Sequence, residues 1–169
     1  MTILASVDGG AYRVTLLLHI FCAIVGLGGV TLNGVYGVAS RKAIGHGGLA
    51  IVRANAKATS IAELFIYAVP VFGFALVGMS DDRWAFDQTW LWLSLIVYAI
   101  ALGISLGLLL PAFRKYEALV DRIETGGTAP TPADETALDA LLKKQAGLGG
   151  SLHLMVVILL VLMIWKPGS

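Results

Sequence analysis

Four long apolar runs, nearly free of charged side chains, divide the chain. They lie at about residues 12–40, 58–80, 88–113 and 145–165. Glu63 interrupts the second run, and Arg13 stands at the edge of the first. A membrane-spanning helix needs about 20 apolar residues, and an ionised group at the bilayer centre costs about 2.5–3.5 kcal/mol. The pattern therefore predicts an all-α polytopic membrane protein, a bundle of four transmembrane helices forming one domain over residues 1–169.

Helical periodicity continues beyond the third run into a polar stretch. Apolar residues recur at helical spacing at Phe113, Tyr116, Val120 and Ile123, and the pattern stops at Gly126-Gly127, which is typical of a helix C-terminus. Thr131-Pro132-Ala133-Asp134 resembles a helix start, and the stripe Leu138, Leu141 and Leu142 follows it. We expect a cytoplasmic helical hairpin over about 113–145, in which the apolar stripes of the two helices face each other. In the alternative, the hairpin binds the membrane surface or a partner through these stripes.

The distribution of charge predicts an orientation. Nine of the 12 basic residues lie in the segments after the first and third runs, at 41, 42, 53, 57, 114, 115, 122, 143 and 144. The positive-inside rule places these segments in the cytoplasm and both termini outside a bacterial plasma membrane. The four tryptophans, Trp84, Trp90, Trp92 and Trp165, then lie near the outer interface, where indole rings form an aromatic belt.

Composition narrows the class of protein. Charged residues make up 14% of the chain against roughly 25% in soluble proteins, and the mean hydropathy is +0.82. A net charge of +1 offers no footprint for nucleic acid, and the lone Cys22 excludes an internal disulfide framework. The expected partners are membrane lipids and other membrane subunits or a second copy of the chain.

Small and polar residues form stripes on two of the spans. On the first span one face carries His19, Cys22, Gly26, Gly29, Asn33 and Gly37. Helix packing explains such a stripe, because small residues allow close backbone approach; room for a flat ligand beside Gly26 and Gly29 is the alternative. On the third span Gly103 and Gly107 form a GxxxG pattern, with Tyr98 on another face, which implies two neighbours.

Three ionisable residues lie inside the spans, where such groups are functional candidates. At about 1.5 Å per residue, His19 lies roughly 10 Å, His153 about 20 Å and Glu63 about 25 Å below the outer surface. Glu63 shares a helix face with Tyr67 and Pro70. Glu63 and His153 are expected to approach each other, with Asn33 nearby; in the alternative, Glu63 snorkels to the cytoplasmic interface.

Cofactor chemistry centres on His19. The axial offset from His153 argues against one haem ligated by both histidines, so haem b would have His19 as its single axial ligand. His19 and Cys22 are also candidate ligands for copper(I), although two ligands make an incomplete site.

The run Leu18-His19-Ile20-Phe21-Cys22-Ala23-Ile24-Val25-Gly26-Leu27-Gly28-Gly29 resembles the opening helix of copper-resistance-D-like membrane proteins and their haem-binding, HemJ-type relatives. The ending Val161-Leu162-Met163-Ile164-Trp165-Lys166-Pro167-Gly168 resembles the integral membrane family termed domain of unknown function 2269. The resemblance implies a functional role for His19. Two departures from these relatives argue against oxidase chemistry: this chain has Gly26 where an aromatic residue commonly precedes their glycines, and its third span lacks their lysine. Porphyrin or lipid binding without chemistry stays as an open alternative.

Three functions follow from these features. The leading one is a non-enzymatic accessory or structural subunit of a membrane assembly or homo-oligomer. The second is a membrane redox module that binds haem through His19. The third is a small transporter with Glu63 and His153 in its path.

Overall fold

The structure, a computed structural model, describes residues 7, 9–81, 83–127 and 129–168. Its helices are α1 (Gly10–Lys42), α2 (Gly48–Gly78), α3 (Thr89–Ile104), α4 (Leu110–Thr125) and α5 (Pro132–Trp165). A π-helical segment, Ser105–Leu109, joins α3 to α4 in one continuous rod. Four rods are long and apolar enough to cross a membrane, which confirms the predicted all-α, four-helix membrane bundle.

Close backbone approach holds α1 against α2. A Cβ added at Gly26 would lie 2.7 Å from Ile66 Cγ1, and one added at Gly29 would overlap the Cβ of Ala62. Contacts this short are not tolerated between real side chains, so the two glycines are what allow the helices to meet at this distance. The small-residue stripe on α1 therefore serves helix packing along this part of its length.

The polar end of the bundle has a small core of its own, and we refer to it as the hairpin end. The apolar stripes of α4 and α5 face each other and also the first turns of α2, burying Leu49, Val52, Tyr116, Val120, Ile123 and Leu138. Glu124 Oε1 accepts hydrogen bonds from the backbone N–H groups of Gly45 and Leu49, at 3.3 and 3.1 Å, and so caps the start of α2. This contact ties the α1–α2 turn to α4.

Side-chain hydrogen bonds complete the hairpin end. Thr131 forms a capping box with Asp134 at the start of α5, as the sequence predicts. Buried Ser40 and Tyr116 hydroxyls lie 3.0 Å apart and join α1 to α4. Ion pairs join Arg41 to Asp139, Arg53 to Asp121 and Arg122 to Asp134. Exposed pairs of this kind contribute little stability, so the buried stripes hold this end together.

At the opposite end of the bundle, which we call the tryptophan end, the end of α5 contacts the loop before α3. Lys166 Nζ lies 3.4 Å from the ring centroid of Trp84, a cation–π contact, and Trp84 packs edge-on against Trp90 at 5.8 Å. Partial burial lowers the pKa of Lys166, and the nearby charge of Arg83 lowers it further. Trp92 and Trp165 remain exposed at this end, as an aromatic belt requires.

The glycine contact predicts a position-specific loss of stability. Substituting Gly29→Ala inserts a methyl group into the α1–α2 contact and should lower the free energy of unfolding by about 1–3 kcal/mol. Gly78→Ala is the matched control, because a Cβ at Gly78, at the tryptophan end of α2, meets nothing within 4 Å. Equal unfolding midpoints for the two variants in one detergent would contradict this packing.

Candidate functional site

Pro70 leaves one backbone carbonyl of α2, that of Ile66, without its usual donor, and a neighbouring helix supplies one. A proline has no N–H, so Pro70 cannot donate to Ile66 O one turn earlier. The Tyr98 hydroxyl, from α3, donates to Ile66 O at 3.0 Å. His19 Nδ1, from α1, lies 2.9 Å from Val69 O, and since a carbonyl only accepts, Nδ1 carries the proton. Both side chains are thereby fixed at the level of the proline.

A second proline distorts the α3–α4 rod. Pro111 follows the π-helical segment, whose end is marked by the hydrogen bond from Leu110 N–H to Ser105 O. In a regular α-helix the ring of Pro111 would clash with the carbonyl of Gly107, and a wider turn relieves this clash. Segments of this kind occur frequently at functional sites. Here the widened turn brings Ser105 and Leu109 to the wall of a cavity.

The cavity lies between α1, α2 and the α3–α4 rod and has a volume of about 210 Å³. We call it the Glu63 cavity. Its polar wall includes Asn33, Thr59, Ser60, Glu63 and Ser105. Its apolar wall includes Val30, Ala62, Ile66, Leu109 and Phe113. Thr59 Oγ1 donates to Asn33 Oδ1 at 2.8 Å, so the amide of buried Asn33 is held in place across the α1–α2 contact.

Glu63 is the distinctive group of this cavity. Within the described residues its carboxylate has neither a hydrogen-bond partner nor a basic group within 4.0 Å. An unpaired carboxylate inside a bundle is costly unless water or a ligand solvates it. Arg114 and Glu117 also line the cavity, and both line a second depression that adds Arg53, Ala118 and Asp121. The cavity thus adjoins the polar surface of α4.

The expected approach of His153 to Glu63 is wrong. His153 Nε2 lies 2.9 Å from the hydroxyl of Thr31 on α1, and Nδ1 lies 2.7 Å from Gly149 O. Glu63 belongs to α2, and among the described residues the backbone of α5 comes close to α1 and the α3–α4 rod but not to α2, which meets α5 only through side chains at the hairpin end, where Leu138 shares a core with Leu49 and Val52. The two residues therefore lie on helices that are diagonal in the bundle. Of the expected trio, Asn33 and Glu63 share the cavity and His153 does not.

The two candidate haem ligands lie far apart along the bundle, as their offset in the sequence predicts, but the expected space for a flat ligand is filled. His19 contacts the Pro70 turn, while Thr31, the partner of His153, lies twelve residues further along α1, about 18 Å away. The space beside Gly26 and Gly29 is filled by Ile66 and Ala62, so it offers no room for a macrocycle. Cys22 is buried, and the described residues contain no group of three or more His, Cys, Asp or Glu placed to hold a metal.

The remaining candidate residues face outward. Tyr67 is exposed on α2. Gly103 and Gly107 lie on the outer surface of the α3–α4 rod, where an added Cβ would meet nothing within 4 Å. The GxxxG face of the third span is therefore unused within the bundle, whereas its Tyr98 face contacts α2.

The fold and the polar groups inside it define the class: a four-helix integral membrane protein. A family model described as "Predicted integral membrane protein (DUF2269)" matches residues 13–167, and the chain belongs to this family. Comparison with curated proteins and with solved structures gave no match.

The Pro70 contact predicts a coupling between α2 and α3. Tyr98→Phe should lower the free energy of unfolding by about 1 kcal/mol, because Ile66 O then has no donor. Pro70→Ala restores an N–H that can donate to Ile66 O, so Tyr98→Phe should cost less in that background. A double-mutant cycle measures this coupling. Additive effects of the two substitutions would contradict the assigned role of Tyr98.

Proposed function

We propose that this protein is a non-enzymatic subunit of a membrane assembly, either with a second copy or with another integral membrane protein. The observation that carries the proposal is the position of His153. It is an ionisable side chain that faces outward from the bundle, near the middle of a transmembrane helix.

The depth of His153 is what makes its exposure informative. Twelve residues separate it from Trp165 at the end of α5, or about 18 Å of a hydrocarbon core that is about 30 Å thick. Polar side chains at this depth face other helices or water in nearly all membrane proteins, because lipid cannot solvate them. Both ring nitrogens of His153 have partners within the chain, the Thr31 hydroxyl and Gly149 O, but the side chains of His153 and Thr31 are both exposed on the outside of the bundle. A second protein surface would remove the pair from lipid.

The surroundings of His153 support close helix contact. Gly28 and Gly34 lie one turn on either side of Thr31, and Gly149 and Gly150 lie one turn before His153. A Cβ at any of these glycines would meet nothing within 4 Å. The α1–α5 surface thus combines small residues with a polar pair, the combination that drives helix association in membranes. The GxxxG face of the α3–α4 rod offers a second contact surface.

Orientation follows from the charge distribution. The hairpin end carries nine of the 12 basic residues, so we place it in the cytoplasm and both termini outside a bacterial plasma membrane. In this orientation the Glu63 cavity adjoins the cytoplasmic side and the tryptophans lie at the outer interface.

The assembly is testable by native mass spectrometry of the protein extracted in mild detergent. The wild-type chain should appear as an oligomer or with a stoichiometric partner, and Gly150→Leu should release a folded monomer because the side chain fills the α1–α5 surface. Gly78→Leu is the matched control, since Gly78 is also open but lies at the tryptophan end of α2. A wild-type protein that is monomeric and free of any partner would overturn the proposal.

The haem hypothesis is tested on the same preparation. Its support is that His19 donates through Nδ1, which leaves Nε2 as the nitrogen with the lone pair, the form in which histidine ligates metals. We expect no Soret band after haem-replete expression, because the space beside Gly26 and Gly29 is filled. A Soret band that His19→Ala abolishes would replace the subunit proposal with a redox function.

A further inference from the structure

We propose that the Glu63 cavity binds a small organic ammonium cation that enters from the hairpin end. This goes beyond the assembly proposed above and does not depend on it, because the cavity is formed within one chain. Charge, hydrogen-bonding capacity, size and access each bear on the class of ligand.

Charge favours a cation. The charged residues that line the cavity are Glu63, Glu117 and Arg114, two acidic and one basic, which leaves a formal excess of one negative charge. The carboxylate of Glu63 has no basic partner among the described residues, so a bound cation would supply the missing counter-charge. In a cavity partly shielded from bulk solvent such a pair interacts more strongly than it does in water.

The polar wall provides acceptors for the N–H groups of an ammonium ion. Glu63 offers two carboxylate oxygens. The Thr59 hydroxyl is oriented by its hydrogen bond to Asn33, and the Ser60 hydroxyl donates to Ala56 O at 3.1 Å, so both hydroxyl oxygens keep lone pairs free. Because the hydroxyl protons are already engaged, these groups suit a donor ligand better than an anion.

Size and the apolar wall distinguish an organic cation from a metal ion. The volume of about 210 Å³ is several times the roughly 30 Å³ share of one water molecule, too large for a bare ion to fill. The side chains of Val30, Leu109 and Phe113 cannot ligate a metal, but they can pack against an alkyl group. Phe113 also lines the same space, and an aromatic side chain is a favourable neighbour for a cation.

Access is available from the polar surface of α4. Arg114 and Glu117 line both the cavity and the adjoining depression, which also contains Asp121. Asp121 is paired with Arg53 at 2.9 Å, and Glu117 forms no ion pair with any residue that the structure describes. A cation from the solution at the hairpin end would meet Glu117 first and Glu63 deeper in the bundle.

Calorimetric titration of the full-length protein in lipid nanodiscs tests the proposal. The probes are n-butylammonium chloride, its neutral counterpart n-butanol, and potassium chloride, all at constant ionic strength. We expect saturable binding of n-butylammonium alone. Glu63→Gln should weaken it at least tenfold. Glu63→Asp should retain part of the affinity, which separates loss of charge from loss of folding. Glu135→Gln, an equal charge change at an exposed position on α5, should leave it unchanged.

Three results would overturn the inference. Equal affinity of wild type and Glu63→Gln for n-butylammonium would show that the carboxylate is not the counter-charge. Equal binding of n-butanol would show an apolar site. Saturation by potassium alone, with no binding of n-butylammonium, would show an inorganic cation site.

Discussion

The rest of this structure depends on one constraint: inside a bilayer each polar group must find a partner within the protein, because lipid offers none. The two prolines in the spans interrupt the regular backbone hydrogen bonds of their helices, so other groups must compensate. Pro70 withholds a donor from Ile66 O, and Tyr98 replaces it from α3. Pro111 forces a π-helical turn in the neighbouring rod. The helix distortions and the cross-helix hydrogen bonds are therefore parts of the same arrangement.

The same constraint separates the intramembrane polar groups into two kinds. Tyr98, His19 and Asn33 have hydrogen-bond partners across helix contacts. Glu63 has no hydrogen-bond partner among the described residues, whereas both ring nitrogens of His153 have partners but its side chain is exposed on the outside of the bundle. Glu63 faces an internal cavity and His153 faces outward, so the first points to a ligand or water and the second to a neighbouring protein. We therefore propose different roles for the two residues, ligand binding for Glu63 and assembly for His153, although both are ionisable and lie at similar depth.

The sequence predicts what depends on local pattern. Apolar run length predicts the four spans, and Thr131 with Asp134 predicts the start of α5. Depth along a helix is also predictable, but the direction in which a side chain faces its neighbours is not. This is why Glu63 and His153 are expected together and are found on diagonal helices. The packing role of Gly26 and Gly29 becomes decidable only when Ile66 and Ala62 are placed opposite them.

Several residues that line the Glu63 cavity are only weakly indicated by the sequence. Thr59, Ser105 and Arg114 line the cavity without belonging to any motif. Pro111 inside a helical rod is the one local indication that the turn before it would widen, and it identifies Ser105 as a residue placed by distortion. Comparison of proline positions with polar residues four to six places earlier would have singled it out.

Thiol accessibility tests the central claim, that the unpaired carboxylate of Glu63 marks a wet cavity open at the hairpin end. In a Cys22→Ala background, single cysteines replace Ser105 in the cavity wall and Ala99 on the lipid-facing side of the same rod. A membrane-impermeant maleimide is then applied from the hairpin side of sealed vesicles. The account predicts labelling at position 105 and none at 99, since only a hydrated thiol ionises and reacts. Protection of both positions would contradict it.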